Sequence, residues 1–345
     1  MTQPPPELPL LWQRPPFQTL FTTLQSLRLQ PPIWHLKATH AEILDQQQAQ
    51  VDAAAAAKDV LAFLSSAIKS PLSWLASDDE RDQIWEEASR RLSERCGRNA
   101  MGEITRQWPF PNFTLSIREP PLTGDALGLK TWTSSYILAQ LLPSIASSPP
   151  LAHLFAAPTP PKILELGAGT GLLGLAAACL FPGASVVLTD LPLIVPNLAH
   201  NVSLNRATVE ARGGGGTVDA AALTWGGAVD ARFTTGERYQ LVIVADPLYD
   251  DDHPGLLAGA IDAQLGLDGE ARVLVMVPQR DETTRGLHAA FRAAMAGQEA
   301  AMACVQESMV AGEDSWGDAG DDAGSDGFWW GVFRRALREE GSRRG

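Results

Sequence analysis

The chain has 345 residues, of which 45% are hydrophobic and 19% charged, so it can form one large or two ordinary domains with a substantial core. Its 27 lysines and arginines stand against 40 acidic residues, and the net charge of −13 argues against a general nucleic-acid-binding protein. Three scattered cysteines without a CxxC pair, and six histidines without ligand spacing, argue against a disulfide framework and a bound metal.

The first third of the chain predicts a helical accessory region. Its N-terminus lacks the basic and apolar segments of a signal peptide, and no apolar run is long enough to span a bilayer. We therefore expect a soluble cytoplasmic protein that does not insert into a membrane. Apolar spacing predicts helices over residues 17–29 and within 39–68, and Ser77 is suited to cap a third helix that ends near residue 95. We assign residues 1–110 to this helical N-terminal region.

Residues 162–190 predict a nucleotide-binding β–α–β unit. A short apolar strand is followed by three alternating glycines, a helix that ends at Pro-Gly, and a second strand that ends on an acid. Glycine lacks a Cβ, so its backbone can adopt positive φ and approach a ligand closely. An acid at the strand end can accept hydrogen bonds from both ribose hydroxyls. The elements are the strand 162–166, Gly167, Gly169 and Gly171, the helix 172–181, the strand 184–189 and Asp190.

The glycine turn is compatible with two kinds of cofactor. Gly169, Gly171 and Gly174 satisfy GxGxxG, the pattern in which a helix N-terminus receives a dinucleotide pyrophosphate. Counted from Glu165, the same turn is ExGxGxG, a form seen in S-adenosylmethionine methyltransferases. S-adenosylmethionine has no phosphate and carries a cationic sulfonium, so an acid such as Asp190 suits it electrostatically. We therefore favour S-adenosylmethionine as the cofactor.

The remaining elements continue an alternation of strands and helices. Before the glycine turn, the pattern predicts a strand over 113–118, a helix over 133–142 and a proline-rich loop over 143–161. After it, the pattern predicts helices over 193–205, 254–265 and 283–296, and strands over 217–223, 239–245, 272–277, 301–306 and from Phe328. Such alternation predicts a doubly wound α/β sheet over residues 111–337, followed by a disordered tail over 338–345.

In a doubly wound sheet the ligand lies beyond the carboxyl ends of the strands. Four features fall at such ends: the glycine turn, Asp190, Trp225 and Ala245-Asp246. A tryptophan at a strand exit is often a core residue, but at Trp225 it would lie where an adenine is expected, and an aromatic wall suits a flat base. Asp246 could also cap a loop through its short side chain.

These residues together resemble the fungal members of methyltransferase family 16, which methylate lysines of non-histone proteins. The resemblance runs from about residue 110 to the C-terminal Phe-Trp-Trp-Gly strand, and it is greatest to the fungal elongation factor 2 lysine methyltransferases. The combination of Trp132 with the DxxY motif is more specific than the glycine motif. The matching pieces are Gly128-Leu-Lys-Thr-Trp132, Glu165-Leu-Gly-Ala-Gly-Thr-Gly171, Asp190, Leu223-Thr-Trp225-Gly and Asp246-Pro-Leu-Tyr249.

The resemblance implies a Rossmann-like seven-strand sheet that binds S-adenosylmethionine, and a role for each matching residue. Trp132 would lie near the methionine part of the cofactor, and the turn at 167–169 would run along its backbone. Asp190 would bind the ribose, Trp225 would contact the adenine, and Ala245 would lie beside the methyl group. The cofactor-binding residues are then Trp132, Glu165, Gly167, Ala168, Gly169, Asp190, Trp225 and Ala245. Asp246 and Tyr249 would be the catalytic pair at the lysine entrance, and no metal is implied.

The sequence thus predicts a monomeric S-adenosylmethionine-dependent protein-lysine N-methyltransferase. Its expected substrate is a translation elongation factor, with elongation factor 2 favoured, and no direct contact with nucleic acid is expected. One alternative is a small-molecule O- or N-methyltransferase. Another is an NAD-dependent oxidoreductase, which Glu165 and the lack of a Tyr-x-x-x-Lys motif disfavour. A third is a degenerate methyltransferase fold that only binds, against which the acids Glu165, Asp190 and Asp246 argue.

Overall fold

The structure is a computed structural model that describes residues 8–27, 59–93, 103–121, 127–212, 214–227, 233, 236–297, 301–311 and 327–336. The chain divides into two compact units, the first comprising Met1–Ile104 with Pro120–Asp125 and the second Thr105–Glu119 with Ala126–Gly345. The domain boundaries expected from the sequence remain a prediction, and the tail 338–345 lies outside the described residues. In the described part of the chain, no helix has the length and apolar character to cross a membrane.

The first unit is helical, as predicted. It contains α1 (Phe17–Ser26), α2 (residues 59–69) and α3 (Asp78–Ser93). Ser77 caps α3 as expected, because its hydroxyl accepts a hydrogen bond from the backbone N–H of Glu80 over 3.2 Å. The apolar faces of the three helices form one core, whose fully buried members include Leu20, Leu24, Leu64, Leu72 and Ile84.

The second unit is built on a seven-stranded sheet, and the predicted fold class is confirmed. The strand order is β5-β4-β3-β6-β7-β9-β8, in which β9 runs antiparallel to both of its neighbours and the other neighbouring pairs are parallel. A separate hairpin of two strands, β1 and β2, precedes it. The strands are β1 (Ile104–Phe110), β2 (Phe113–Glu119), β3 (Lys162–Leu166), β4 (Ser185–Asp190), β5 (Thr217–Ala222), β6 (Leu241–Ala245), β7 (Arg272–Pro278), β8 (Met302–Ala311) and β9 (Gly327–Arg335).

Helices cover both faces of the sheet, which explains why its central strands are continuous apolar runs. Side chains alternate between the two faces along a strand. Leu164 and Val242, for example, share a core with Leu257 of α9 and Phe291 of α10, whereas Ile163 points to the opposite face. The helices are α4 (Thr133–Ala146), α5 (Pro149–Ala156), α6 (Leu172–Leu180), α7 (Val195–Leu204), α8 (Arg206–Arg212), α9 (His253–Gln264) and α10 (Glu282–Ala296).

The chain reverses its direction of travel across the sheet at β3, and this determines where a ligand can bind. From β3 the chain proceeds first to β4 and β5 on one side, then to β6 and β7 on the other. The connections that leave the carboxyl ends of β3 and β6 therefore diverge and leave a crevice between them. The glycine turn follows β3, and the Asp246-Pro-Leu-Tyr249 motif follows β6, so both motifs border this crevice.

The hairpin is joined to α7 by asparagine side chains. The amide of Asn205 accepts from the backbone N–H of Ser116 and donates to its carbonyl, both over 2.8 Å. Asn201 does the same with Arg118, over 2.9 and 3.1 Å, and also donates to the carbonyl of Thr170 over 3.0 Å. Two side-chain amides, spaced one helical turn apart, thus satisfy alternate backbone groups of β2.

One sequence prediction was wrong: residues 143–161 do not form a loop throughout. Helix α4 continues through Pro143 to Ala146, where the buried side chains of Leu142 and Ile145 offset the hydrogen bond that a proline removes. A further helix, α5, then begins with two prolines, which are well tolerated in the first turn because the N–H groups there lack intrahelical partners. The patterns also missed β1 and α8.

Gly174 in α6 supplies a test of this packing. A Cβ there would lie 2.0 Å from Cδ2 of Leu188 and 2.5 Å from Oε2 of Glu165, both buried side chains. We expect Gly174→Ala to lower the free energy of unfolding by about 1–3 kcal/mol because the core must move to admit the methyl group. The exposed Gly259 of α9 has no atom within 4 Å of such a Cβ, so Gly259→Ala should be neutral or stabilising. Urea denaturation of both variants would show this difference, and equal effects would contradict it.

Candidate active site

The glycine turn presents bare backbone to the crevice. Gly167 has a φ of 67° and Gly169 a φ of 56°, values that favour glycine. A Cβ at Gly169 would lie 3.1 Å from the carbonyl oxygen of Gly128, and one at Gly167 would lie 3.2 Å from the indole of Trp225. Side chains at these positions would press on Trp225 and on the backbone of Gly128, so the glycines let both groups approach the turn closely.

Two carboxylates anchor the turn. Glu165 is 2% exposed, and its Oε2 accepts the N–H of Gly174 in the first turn of α6 over 2.9 Å. This helix starts at Gly171, which has no side chain to cap it, so the carboxylate acts as the cap. Asp190 accepts the N–H groups of Gly169 and Leu191, each over 2.7 Å. Glu165 therefore supports the turn from beneath, whereas Asp190 holds it at the end of β4.

The surroundings of these acids shift their pKa values. Burial raises the pKa of Glu165 well above its usual range, against the opposing effect of the Gly174 hydrogen bond, and the charge of Asp190 raises it further. Burial also raises the pKa of Asp190, while its hydrogen bonds from Gly169 and Leu191 lower it. The two acids thus interact unfavourably with each other, and backbone N–H groups of the turn, of α6 and of Leu191 stabilise them.

The start of α4 is attached to the same turn. The hydroxyls of Thr131 and Thr170 lie 2.8 Å apart, and the N–H of Thr131 donates to Oε1 of Glu119 over 3.3 Å. Glu119 is 1% exposed and pairs with Arg106, which is 6% exposed. Trp132 follows as the residue before α4, and its indole Nε1 donates to the carbonyl of Leu127 over 3.3 Å. Trp132 thus directly follows a residue that contacts the turn, and its assignment to the methionine part of the cofactor stays a prediction.

Trp225 and two further rings form an aromatic row beside the turn. The half-buried indole of Trp225 packs against the core and lies over Gly167. Its centroid lies 5.9 Å from that of His253, whose ring meets Tyr249 edge-on at 4.2 Å. The row therefore connects the position predicted for the adenine with the DxxY motif.

Asp246 occupies a strained position at the end of β6. Its φ of 56° lies in the left-handed region, which costs energy for a residue with a Cβ and is often retained at functional sites. Its backbone N–H donates to the carbonyl of Met276, and its side chain is 5% exposed. Oδ2 accepts from Arg280 Nη2 over 2.8 Å and from the hydroxyl of Ser134 over 3.3 Å.

Tyr249 is the exposed member of the predicted pair. Its side chain is open to solvent, with 60% of the residue exposed. Local desolvation raises the pKa of its hydroxyl, and the carboxylates of Asp190, Asp250 and Asp246 raise it further. Tyr249 is therefore close enough to both Asp190 and Asp246 for their charges to shift the pKa of its hydroxyl.

Comparisons with known proteins agree with this arrangement. A family model described as lysine methyltransferase matches residues 110–289, more than half of the chain. The chain belongs to the lysine methyltransferase family.

Three relatives illustrate the similarity. Protein-lysine N-methyltransferase EFM2 of Saccharomyces cerevisiae is 31% identical over 256 residues, covering 68% of this chain but only 57% of that protein. Protein-lysine N-methyltransferase rrg1 of Schizosaccharomyces pombe is 30% identical over 259 residues, covering 74% of this chain and 76% of that protein. EEF1A lysine methyltransferase 3 of Mus musculus is 36% identical over 108 residues, covering 31% and 42%.

S-adenosylmethionine is the cofactor of this lysine methyltransferase family member, as predicted. The residues present suit it, because the turn carries no side chain at Gly167 or Gly169 and two groups that can bind a nucleoside contact it. The carboxylate of Asp190 accepts the N–H of Gly169, and the indole of Trp225 lies against Gly167. The individual assignments of Trp132, Ala168 and Ala245 to parts of the cofactor stay a prediction.

Three residues of the site were missed by the sequence analysis: Ser134, His253 and Arg280. Arg280 follows β7 closely and so obeys the same strand-end rule that selected Asp190 and Asp246. That rule was applied only up to β6. Ser134 and His253 lie in the first turns of α4 and α9, and their contacts depend on tertiary packing that no local pattern reveals.

Trp225 supplies a test of the cofactor side. If its indole stacks on the adenine, Trp225→Ala should raise the dissociation constant for S-adenosylmethionine by about 5- to 150-fold, because one base–aromatic stack contributes about 1–3 kcal/mol. Isothermal titration calorimetry measures the constant, and circular dichroism checks the fold. Trp12 in the first unit is 76% exposed, so Trp12→Ala is a matched control that should bind normally. Unchanged affinity in Trp225→Ala would make Trp225 a structural residue.

Proposed function

We propose that the chain transfers a methyl group from S-adenosylmethionine to the side-chain amine of a lysine in a protein. The observation that carries this proposal is Asp246, a carboxylate held at the carboxyl end of β6 beside the glycine turn and next to the exposed ring of Tyr249. A carboxylate there suits an approaching ammonium, and an aromatic ring suits the aliphatic stem and the charge of a lysine. Membership of the lysine methyltransferase family supports the same reaction class.

The proposed task of the protein is mainly to place the two reactants. When bound, S-adenosylmethionine supplies a methyl carbon that the lysine nitrogen attacks, and the bonding electrons return to the sulfur. The glycine turn, Asp190 and Trp225 would hold the cofactor, with Trp132 and Ala245 near its reactive end. Orientation of two reactants can supply several kcal/mol of catalysis, so no nucleophilic side chain is required.

The acceptor must lose a proton before it can react. Free lysine has a pKa of about 10.4, so at neutral pH the side chain arrives as an ammonium. Desolvation and a nearby sulfonium both favour the neutral amine. Asp246 as an anion would also stabilise the ammonium, so we assign it to binding and positioning of the substrate rather than to general-base catalysis. Tyr249 would line the path of the lysine stem.

For the substrate, we propose a translation elongation factor, with elongation factor 2 favoured. The motifs of the chain resemble those of the fungal elongation factor 2 lysine methyltransferases, and one relative is named as an EEF1A lysine methyltransferase. The net charge of −13 suits a basic protein surface and is unfavourable for direct contact with nucleic acid. We further propose that the enzyme acts in the cytoplasm as a monomer.

The acceptor side can be tested with Asp246→Asn. The substitution keeps the size of the side chain, and asparagine tolerates the left-handed backbone, so the fold should persist. We expect methylation of elongation factor 2 from a strain that lacks this enzyme to fall about 10- to 100-fold, the cost of losing a charge-assisted hydrogen bond. Affinity for S-adenosylmethionine should stay within about twofold, since one such bond would cost far more. Mass spectrometry and calorimetry measure the two quantities.

Tyrosine variants complete this test. If the ring of Tyr249 guides the lysine stem, Tyr249→Phe should be milder than Tyr249→Ala, because only the second removes the ring. Parental methylation by Asp246→Asn would contradict the lysine-entrance assignment. A wild-type enzyme that labels a different protein in the same extract would contradict the choice of elongation factor 2 and leave the reaction class intact.

A further inference from the structure

The carboxylate of Asp246 has a cationic neighbour, Arg280. Nη2 of Arg280 donates to Oδ2 of Asp246 over 2.8 Å, and the Asp246 side chain is 5% exposed. A charge that leaves water is costly unless it is paired and hydrogen-bonded. The arginine, with the hydroxyl of Ser134, therefore explains how an ionised carboxylate is stable at this depth.

Arg280 is also held from a second direction. Its guanidinium carbon lies 5.6 Å from the centroid of the Trp132 ring, within cation–π range. The side chain follows β7, the neighbour of β6 in the sheet, and is 31% exposed. Its planar group is thus fixed between the tryptophan and the carboxylate.

This pair changes what Asp246 does to an incoming lysine. A lone carboxylate within about 4–6 Å of an amine favours the ammonium form and raises its pKa, typically by one to three units. Methyl transfer needs the opposite, a neutral amine with a free lone pair. A guanidinium on the same carboxylate offsets that effect, while the carboxylate can still accept a hydrogen bond from the amine.

We propose that Arg280 is a positioning residue that balances the charge of Asp246, so that the target lysine can lose its proton inside the site. This inference rests on the proposed lysine methylation. Arginine suits the task because it stays charged throughout the pH range in which a lysine titrates. It also orients the carboxylate, since Nη2 and the Ser134 hydroxyl both bind Oδ2.

Other charged and titratable groups act on Tyr249, three residues after Asp246 in the DxxY motif. Desolvation raises the pKa of the Tyr249 hydroxyl, and Asp190, Asp250 and Asp246 raise it further, so that group stays neutral up to alkaline pH. The ring of His253 contacts that of Tyr249, and its Nδ1 lies 3.1 Å from the carbonyl oxygen of Pro247. Arg280 is a cation in direct contact with Asp246, so its removal should have a large effect.

The test is the pH dependence of kcat for three forms of the enzyme, wild type, Arg280→Lys and Arg280→Gln. Each is assayed between pH 7 and 9.5 at saturating S-adenosylmethionine, with elongation factor 2 from a strain that lacks this enzyme. Because kcat reports groups in the substrate complex, its rising limb reports the bound amine. We expect Arg280→Gln to shift that limb upward by about one pH unit. Arg280→Lys keeps the charge and should retain the wild-type profile.

A neighbouring arginine supplies a matched control. Arg285 on α10 is exposed and carries the same charge, so Arg285→Gln should leave both kcat and its pH profile unchanged. Superimposed profiles for Arg280→Gln and the wild type would overturn the proposal. So would a tenfold or larger loss of S-adenosylmethionine affinity in Arg280→Gln with an unmoved profile, because Arg280 would then belong to the cofactor site.

A second measurement does not depend on turnover. The carboxyl carbon of Asp246, followed by ¹³C NMR, should titrate at higher pH in Arg280→Gln than in the wild type or Arg285→Gln, because loss of a neighbouring cation raises the pKa of an acid. Identical titrations would overturn the proposal. If the wild type fails to methylate elongation factor 2, the proposed substrate is wrong, and this measurement still decides whether Arg280 controls the charge of Asp246.

Discussion

The site depends on how backbone N–H groups of one glycine turn are bound by two carboxylates. Glu165 lies beneath the turn and caps α6, while Asp190 holds Gly169 from the end of the neighbouring strand. Each acid is removed from water and is stabilised by the N–H groups that it orders. The position of the turn also determines where Gly167 meets the indole of Trp225 and where Thr170 meets Thr131. A small set of hydrogen bonds therefore connects the fold of the sheet with the shape of the cofactor site.

The acceptor side uses the same principle with a different partner. Asp246 is again a carboxylate at a strand end, but a guanidinium and a hydroxyl bind it instead of backbone groups. A backbone donor has a fixed position, whereas a side-chain donor can move or be exchanged when a substrate arrives. The acid of the cofactor side is thus bound by backbone donors, and the acid of the acceptor side by side-chain donors. This division suits a reaction in which one small cofactor is constant and the other reactant is a large protein.

Much of this arrangement could be predicted from local patterns. Strand 162–166, the glycines and Asp190 all lie within residues 162–190. The parallel strand order then brings Asp246 to the same edge of the sheet, where the strands have their carboxyl ends. The patterns failed where tertiary packing decides. Pro143 was expected to end a helix, but burial of its neighbours keeps α4 intact. The function of Glu165 as a cap for α6, and the pairing of Arg280 with Asp246, join residues that are distant in sequence or lack any motif of their own.

The asparagines of α7 have a consequence for solubility. A hairpin such as β1–β2 presents unpaired backbone groups along its outer side, and these can template strand addition by another molecule. Asn201 and Asn205 bind the N–H and carbonyl groups of Arg118 and Ser116, so a helix takes the place of a third strand. Because each amide carries both N–H donors and a carbonyl acceptor, it can bind the N–H and the carbonyl of one residue, which neither a carboxylate nor an ammonium could do. These neutral side chains thus protect the outer edge of β2 from pairing with another strand.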